Sequence, residues 1–472
     1  MKILRIPLVI ALVFVAGWAF NAGAQTETNL YSFGSSPHDG ALPEAALVKG
    51  SDGNFYGTTD YGGTNNNGTV FRISPSGTYT SLYSFTGYPT DGGNPEGGLV
   101  QGSDGNFYGT TALGGTLGVG TVFRISPSGT YTNLYSFTGY PNGPDGAYAD
   151  SGLVQGSDGN LYGTTAAGGI HSSGTVYRIS FSGIYTNLYS FRGFPDGAEP
   201  FVFGGLVQGI DGNLYGTTWR GGTHGDGTVF RISPSGTYTS LYSFAGYPNA
   251  GNGPFVGLVQ GSDGNFYGTT IIGGTNNQGT VFRISPSGTN TTLYMFVGSP
   301  TDGNQPRSGL VQGSDGNLYG ATQYGGIHST GTVFRISPSG SYTNLYSFGG
   351  YPTDGNTPWA GLVQGSDGNF YGTTTIGGTY NSGTVFRISV PLKSPPYPIN
   401  QITGVGLSGT NVVFNVPSIA GETYQLQFSS SMNPTNWVNE GGTITSIGAL
   451  LTLTNFGGAV GPQGFYRLAI TP

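Results

Sequence analysis

The sequence predicts an all-β fold: a seven-bladed β-propeller closed by an N-terminal strand, followed by a small C-terminal β-sandwich. Three observations carry this expectation. The segment G-S-D-G-N-[FL]-Y-G-T-T recurs with its aspartates at Asp52, Asp104, Asp158, Asp211, Asp263, Asp315 and Asp367. A second marker, T-V-F-R-I-S, keeps pace through Arg72, Arg124, Arg178, Arg231, Arg283, Arg335 and Arg387. Third, the unit is split between the ends of the repeat array. Thr26 to Phe33 reads as the fourth strand of a blade lacking its first three, and nothing equivalent follows Ser389. A period near 50 residues made of short strands and turns indicates a propeller, and a split unit indicates a closed ring without an unpaired outer edge. Gly (89) and Pro (28) make up about a quarter of the 472 residues, and because they recur with the period they read as turns rather than disorder.

Taken in order, residues 1–24 read as a secretory signal peptide. Lys2 and Arg5 form a basic head, Ile6 to Phe20 an apolar core, and Ala22-Gly23-Ala24 a small-residue cleavage site. No later apolar run is long enough for a membrane span. The propeller is expected over 25–389, a Pro-rich linker over 390–398, and the sandwich over 399–472.

Blade 1 sets the pattern. Leu47 to Gly50 is strand a. Asp52-Gly53 is read as a two-residue hairpin turn with positive φ at both positions. Asn54 to Thr59 is strand b, with Phe55 and Tyr56 on opposite faces, and Thr69 to Ile73 is strand c. Ser74-Pro75-Ser76-Gly77 is a type I turn, and Thr78 to Phe85 is strand d. Both faces of a blade pack on neighbours, so Val70/Phe71 and Tyr83/Phe85 do not alternate with polar residues.

These units resemble the GloVer tandem-repeat family of bacterial secreted proteins over about 26–389. The resemblance implies export and association with the cell surface through varied C-terminal signals, and assigns no catalytic residues. This chain ends at Thr471-Pro472 with neither an apolar anchor nor a basic tail, a departure from that pattern. In the tail, Asn411 to Val416, Thr423 to Ser429, Leu450 to Thr454 and Phe465 to Ile470 read as strands, and Trp437 as core. The pattern G-x-T-Y-x-L-Q…N-W-V…F-Y-R-L resembles the β-sandwich that ends secreted proteins of the same bacterial groups.

Charge and composition narrow the chemistry. Without Lys2 and Arg5 there remain 13 basic and 22 acidic residues, and seven of the basic ones are the repeat arginine. The other six are too scattered to neutralise a phosphate backbone, so no nucleic-acid partner is expected. Cysteine is absent, which excludes thiol catalysis, cysteine–zinc sites and disulfides. No G-x-S-x-G, H-E-x-x-H or phosphate loop occurs.

Antiparallel strands put the a–b and c–d turns at one end of the ring and the variable b–c and d–a loops at the other. Binding is expected on the variable end. There, the residue three before the strand-a leucine is Glu44, Glu96, Asp150, Phe203, Phe255, Arg307 and Trp359 in turn. With strand a innermost, these seven ring the mouth of the central channel, an acidic arc facing an apolar one. That arrangement suits a sugar on the aromatics or a Ca2+ ion on the carboxylates. The b–c loop histidines His171, His224 and His328 lie on different blades and, like His38, read as solvated loop residues. The repeat arginines are expected to be structural, satisfied by carbonyls or by the repeat aspartates. Asp91, Asp302 and Asp354 sit in D-G loops that lack a calcium ladder and read as turn formers.

The combined expectation is an exported, monomeric, non-enzymatic recognition module in the medium, at the cell surface or in the periplasm. Its ligand would be a glycan or a protein, and no cofactor is required. The alternative is a carbohydrate-active hydrolase or lyase using Glu44, Glu96 or Asp150.

Overall fold

A computed structural model describes residues 26–139, 143–200, 205–246, 248 and 251–389, and within the tail 404–408, 411–418, 423–429, 438–445, 449–455 and 465–471. The segments expected to be a signal peptide and a linker, together with Phe203 and Trp437, lie outside the described residues. The chain divides into two compact units, one spanning Ala24–Val390 and the other holding the tail.

The first unit contains seven four-stranded antiparallel sheets. In blade 1 the strands are Val48–Lys49, Phe55–Thr59, Thr69–Ile73 and Tyr79–Ser84, paired in that order. In blade 7, Val363–Gln364, Phe370–Thr374 and Thr384–Ser389 are completed by Thr26–Ser32, with Thr26 opposite Ser389 and Ser32 opposite Thr384. The expected closure by the N-terminal strand is therefore the observed topology.

Packing follows from the two-faced strands. Phe55 joins the cluster between blades 7 and 1 with Phe33, Leu47, Phe71, Ile73, Tyr371 and Val385. Its neighbour Tyr56 joins the next cluster, with Val70, Phe85, Leu99, Phe107, Phe123 and Ile125. Seven such clusters stand between the blades, one at each boundary. Seven buried side chains at roughly 1.5–3 kcal/mol each put about 10–20 kcal/mol of burial into one boundary, an upper bound. A β-bulge recurs in strand d: Val70 pairs with Tyr83 but Phe71 with Ser81, so Leu82 is the extra residue. The bulge turns Leu82 and Tyr83 toward the same boundary, a second reason why strand d does not alternate.

The a–b turn differs from the expected two-residue form. Gly53 N–H donates to Gly50 O and Gly50 N–H to Asn54 O, and only Gly53 takes a positive φ, +82°. This is a wider hairpin with glycine at its left-handed position. Asp52 caps it by accepting from Asn54 N–H (3.1 Å), Asn54 Nδ2 (2.7 Å) and the buried Tyr56 hydroxyl (2.9 Å). These bonds account for the repeat aspartates, and they hold the carboxyls of Asp52, Asp104, Asp158, Asp211, Asp263 and Asp367 below the usual range. The repeat arginines are half-buried on strand c, with Arg72 opposite Tyr56. Among the described residues none of them makes the expected ion pair with a repeat aspartate. Among the described residues the one ion pair is Arg220–Glu199, 3.6 Å.

Polar latches join the blades. Gln101 Oε1 accepts from Ser51 N–H of the preceding blade (2.8 Å), and the same contact recurs through Gln155, Gln208, Gln260, Gln312 and Gln364. Lys49 stands at this position in blade 1, so the closing boundary lacks the latch. Tyrosines stack across boundaries in the same way, Tyr83 on Tyr131 at 4.3 Å and Tyr31 on Tyr79 at 4.0 Å. In blade 7 the second member of the pair is Glu27 rather than tyrosine.

The second unit holds two three-stranded antiparallel sheets. One orders Gly404–Ser408, Asn411–Ser418 and Ala449–Asn455; the other orders Val438–Thr445, Thr423–Ser429 and Phe465–Thr471. Gly404–Ser408 and Val438–Thr445 were not legible in the sequence pattern. Among the described residues no helix is long and apolar enough to cross a membrane.

Glu27 yields a prediction. Burial, then the Asp354 carboxylate, push its pKa up to about 8, against an ordinary value of 4.5. The folded state thus holds a proton that the unfolded chain releases above pH 4.5, so stability falls as pH rises from about 4.5 to 8. Glu27→Tyr removes the buried acid and supplies the missing stacking partner. It is expected to raise Tm at pH 8 relative to wild type, by the equivalent of about 1 kcal/mol or more, and to have a smaller effect at pH 4. Thermal melts followed by circular dichroism across that range check it.

Candidate functional site

The hub is built from small residues. An added Cβ on Gly152 would lie 3.3 Å from Gly98 O, one on Gly98 3.5 Å from Ala46 O, and one on Gly361 3.6 Å from the Ala46 Cβ. Gly205 packs closest, 2.4 Å from Gly152 O, at φ +70°. Equivalent residues of successive blades can touch in this way only at the centre of the ring, so strand a is innermost. The residue just before each strand-a leucine is Ala46 in blade 1 and glycine in the other six, a register missed in the sequence.

The predicted ring residues sit two positions earlier. The backbone next to them is pinned from the preceding blade: Thr373 Oγ1 donates to Ala45 O (3.3 Å), Thr110 Oγ1 to Ser151 O (2.8 Å) and Thr269 Oγ1 to Pro306 O (3.0 Å). Before them comes a left-handed residue, Leu42, Asn94, Tyr148, Glu199, Gln305 or Thr357, with φ of 52–58° and Gly253 taking the seventh place at +63°. Such strained backbone clusters at functional sites. Blade 4 departs from the pattern. Two additional residues separate Pro200 from Leu206, so counting from the proline gives Phe201 where counting from the leucine gives Phe203. Both lie outside the described residues.

The other six ring residues are neighbours around the hub. Arg307 lies between the two aromatics of its neighbouring blades, its guanidinium carbon 5.0 Å from the Phe255 ring centre and 4.8 Å from that of Trp359. Trp219 meets Phe255 edge-on at 5.9 Å, and Arg220 covers the Trp219 ring at 4.2 Å. Glu44, Glu96 and Asp150 form the acidic arc. A fourth carboxyl, Asp60, enters from the end of strand b in blade 1, only 6% exposed, and accepts from Asn94 Nδ2 at 3.0 Å. Sequence reasoning missed Asp60, Trp219 and Gln323. All three follow directly on the last residue of strand b, a position occupied by a different residue type in nearly every blade.

Burial dominates the electrostatics. It lifts Glu44 to about 8, with Asp60 and Glu96 adding to the shift and Arg307 opposing it. Glu96 is raised to about 7 by burial and then Asp60. Asp150 is raised well above the carboxylate range by burial, then Glu96 and Asp60. It is 5% exposed, and its Oδ1 has no hydrogen-bond partner. Among the described residues no group of three or more His, Asp or Glu side chains could hold a metal ion, so the geometry gives no support to a Ca2+ site on the arc.

The remaining variable loops are structurally spent. The d–a loop pairs with the b–c loop in two-residue ladders such as Gly92–Gly93 with Leu113–Gly114, which confirms that both loops share one end of the blade. Asp91 accepts from the Tyr83 hydroxyl (2.8 Å), Thr86 N–H (2.8 Å) and Gly92 N–H (2.7 Å), and Asp302 and Asp354 cap their loops likewise. The histidines are exposed on separate blades. A cleft of about 700 Å³ beside Tyr135, Asp145, His171 and Tyr185 lies away from the hub. Its carboxyl is already bonded by Tyr135 (2.7 Å) and Thr138 (2.6 Å), so the hub is the better candidate.

A family model described as the Gloeobacter/Verrucomicrobia repeat matches residues 16–144, 90–260 and 203–395. Among curated proteins none matches. Of solved structures, an extracellular domain described as that of a hybrid two-component system from B. thetaiotaomicron aligns over 94% of this chain and 55% of its own, at 14% identity and a TM-score of 0.52. This chain thus spans about half the length of that domain. A protein described as a 6-phosphogluconolactonase from Bacteroides uniformis aligns over 87% of this chain and 99% of its own, at 14% identity and a TM-score of 0.46. A lectin from Burkholderia pseudomallei aligns over 72% and 97%, at 11% identity and 0.45.

The carboxyl arc makes stability depend on pH. Glu44 keeps its proton up to about pH 8 when folded but loses it near 4.5 when unfolded. Glu44→Gln, which imitates the protonated acid, is expected to raise Tm above pH 8 and to leave it unchanged below pH 4. A scanning-calorimetry series on variant and wild type reads the difference.

Proposed function

The chain belongs to the Gloeobacter/Verrucomicrobia repeat family, and on that premise we propose that it is an exported recognition module that binds a glycan at the mouth of its hub. One observation carries the reading: Arg307 stacked between Phe255 and Trp359, across from the Glu44–Glu96–Asp150 arc. The frame beneath repeats in every blade, yet this ring differs from blade to blade. Flat apolar side chains beside a few convergent polar groups suit a sugar ring, whose faces are apolar and whose edge is lined with hydroxyls. Carboxyls that carry protons near neutrality both donate to and accept from hydroxyls.

The alternative, hydrolysis or elimination, is less well supported. Acid–base chemistry on a glycoside requires two carboxyls whose pKa values are driven apart, one protonated and one ionised. Here Glu44, Glu96, Asp150 and Asp60 are all driven upward.

A glycan array followed by calorimetry on the hits tests the reading. Trp359→Ala is expected to weaken binding at least tenfold without any change in the sugar recovered. Binding unaffected by Trp359→Ala would remove the hub from consideration. Release of shortened product by the wild type, abolished in Glu96→Gln, would establish the enzyme instead.

A further inference from the structure

Resting on the glycan reading, we infer that the sugar taken at the hub carries a free primary amine, seated as an ammonium on the arc formed by Asp60, Glu44, Glu96 and Asp150. The arc gathers four carboxyls from the first three blades, and its supply of donors is poor. Asn94 gives one hydrogen bond to Asp60. Asp150 Oδ1, buried to 95% and set among Glu96 and Asp60, receives none. Arg307 faces Glu44 across the mouth, but its guanidinium rests on Phe255 and Trp359, and no ion pair joins it to the arc. The other charged or titratable groups nearby are the phenols Tyr61 and Tyr324 and, beside Trp219, the mutually paired Arg220 and Glu199. Among the described residues, these four acids are therefore paired with no cationic side chain.

The geometry selects among cations. No three of these acids could close on a single metal ion. An ammonium group does not need three converging acids, because one carboxylate pairs with it and its other N–H donors are met by a second carboxyl or by solvent. That the amine is carried on a pyranose rather than on a linear polyamine follows from the glycan reading. In the free protein the arc avoids repulsion by retaining protons. When the ammonium enters, a carboxyl releases its proton to solvent, and the bound state holds a carboxylate–ammonium pair.

The test compares a β-1,4-linked glucosamine tetramer with its fully N-acetylated counterpart, which has the same rings but capped amines. Titration calorimetry at pH 6, in two buffers of different ionisation enthalpy, reads both affinity and proton release. The amine form is expected to bind at least tenfold more tightly, with protons released. In Asp150→Asn and Glu96→Gln, each checked for a native melting curve, the ratio of the two affinities should fall toward one. Equal or tighter binding of the acetylated tetramer, without proton release, would overturn this inference and leave the glycan reading standing. Binding of neither would overturn both for this sugar backbone.

Discussion

Blade-on-blade burial is the constraint on which the rest depends. A four-stranded blade presents an apolar side chain on each face, Phe55 toward one neighbour and Tyr56 toward the other, so no blade can bury its surface alone. An open array would leave two such faces wet. Closure by Thr26–Ser32 removes them, because that strand lies beside Thr384–Ser389 and brings Tyr31 and Phe33 into the cluster shared with blade 1. The chain contains no cysteine, so this closing sheet does what a covalent staple would otherwise do.

The closing region departs from the repeat in two places. Lys49 replaces the glutamine latch between blades 7 and 1, and Glu27 replaces the stacking tyrosine between blades 6 and 7, as Asn290 does between blades 4 and 5. The backbone ladder and the remaining aromatic packing must carry these boundaries. A buried acid such as Glu27 can persist there because one unfavourable group is small beside the burial gained around the ring.

Much of this was legible in the residues because the repeat compares the chain with itself. Seven copies of D-G-N-[FL]-Y and V-[FY]-R-I located strands b and c to within a residue, and the orphan strand at Thr26 fixed the topology. The misses have physical causes. The Asp52-Gly53 dipeptide fits more than one hairpin, and its choice depends on where Gly50 N–H finds an acceptor. The loop ladders are built of glycine pairs, which show no polar–apolar alternation. Blade 4 carries two extra residues between its landmarks, so a register counted from one end misplaces the ring residue counted from the other. Asp60 escaped because a residue at a strand's end reads as loop until the left-handed Asn94 is seen folding its side chain onto it.

The hub shows why a symmetric frame can support an asymmetric site. Its backbone is held by threonine hydroxyls, by proline packing on loop glycines and by close Gly–Gly contact, none of which uses the side chain of the ring residue itself. Those side chains can therefore differ freely without unfolding a blade, and only their mutual electrostatics constrain them. Drift under that constraint would scatter charges or pair them. Instead, like charges are gathered on blades 1 to 3 while the one guanidinium of the ring sits among aromatics on the other side, an arrangement that costs the free protein stability at neutral pH. Carboxyls crowded at a cost, on positions that the fold leaves free, are what a site arranged for something outside the protein would look like.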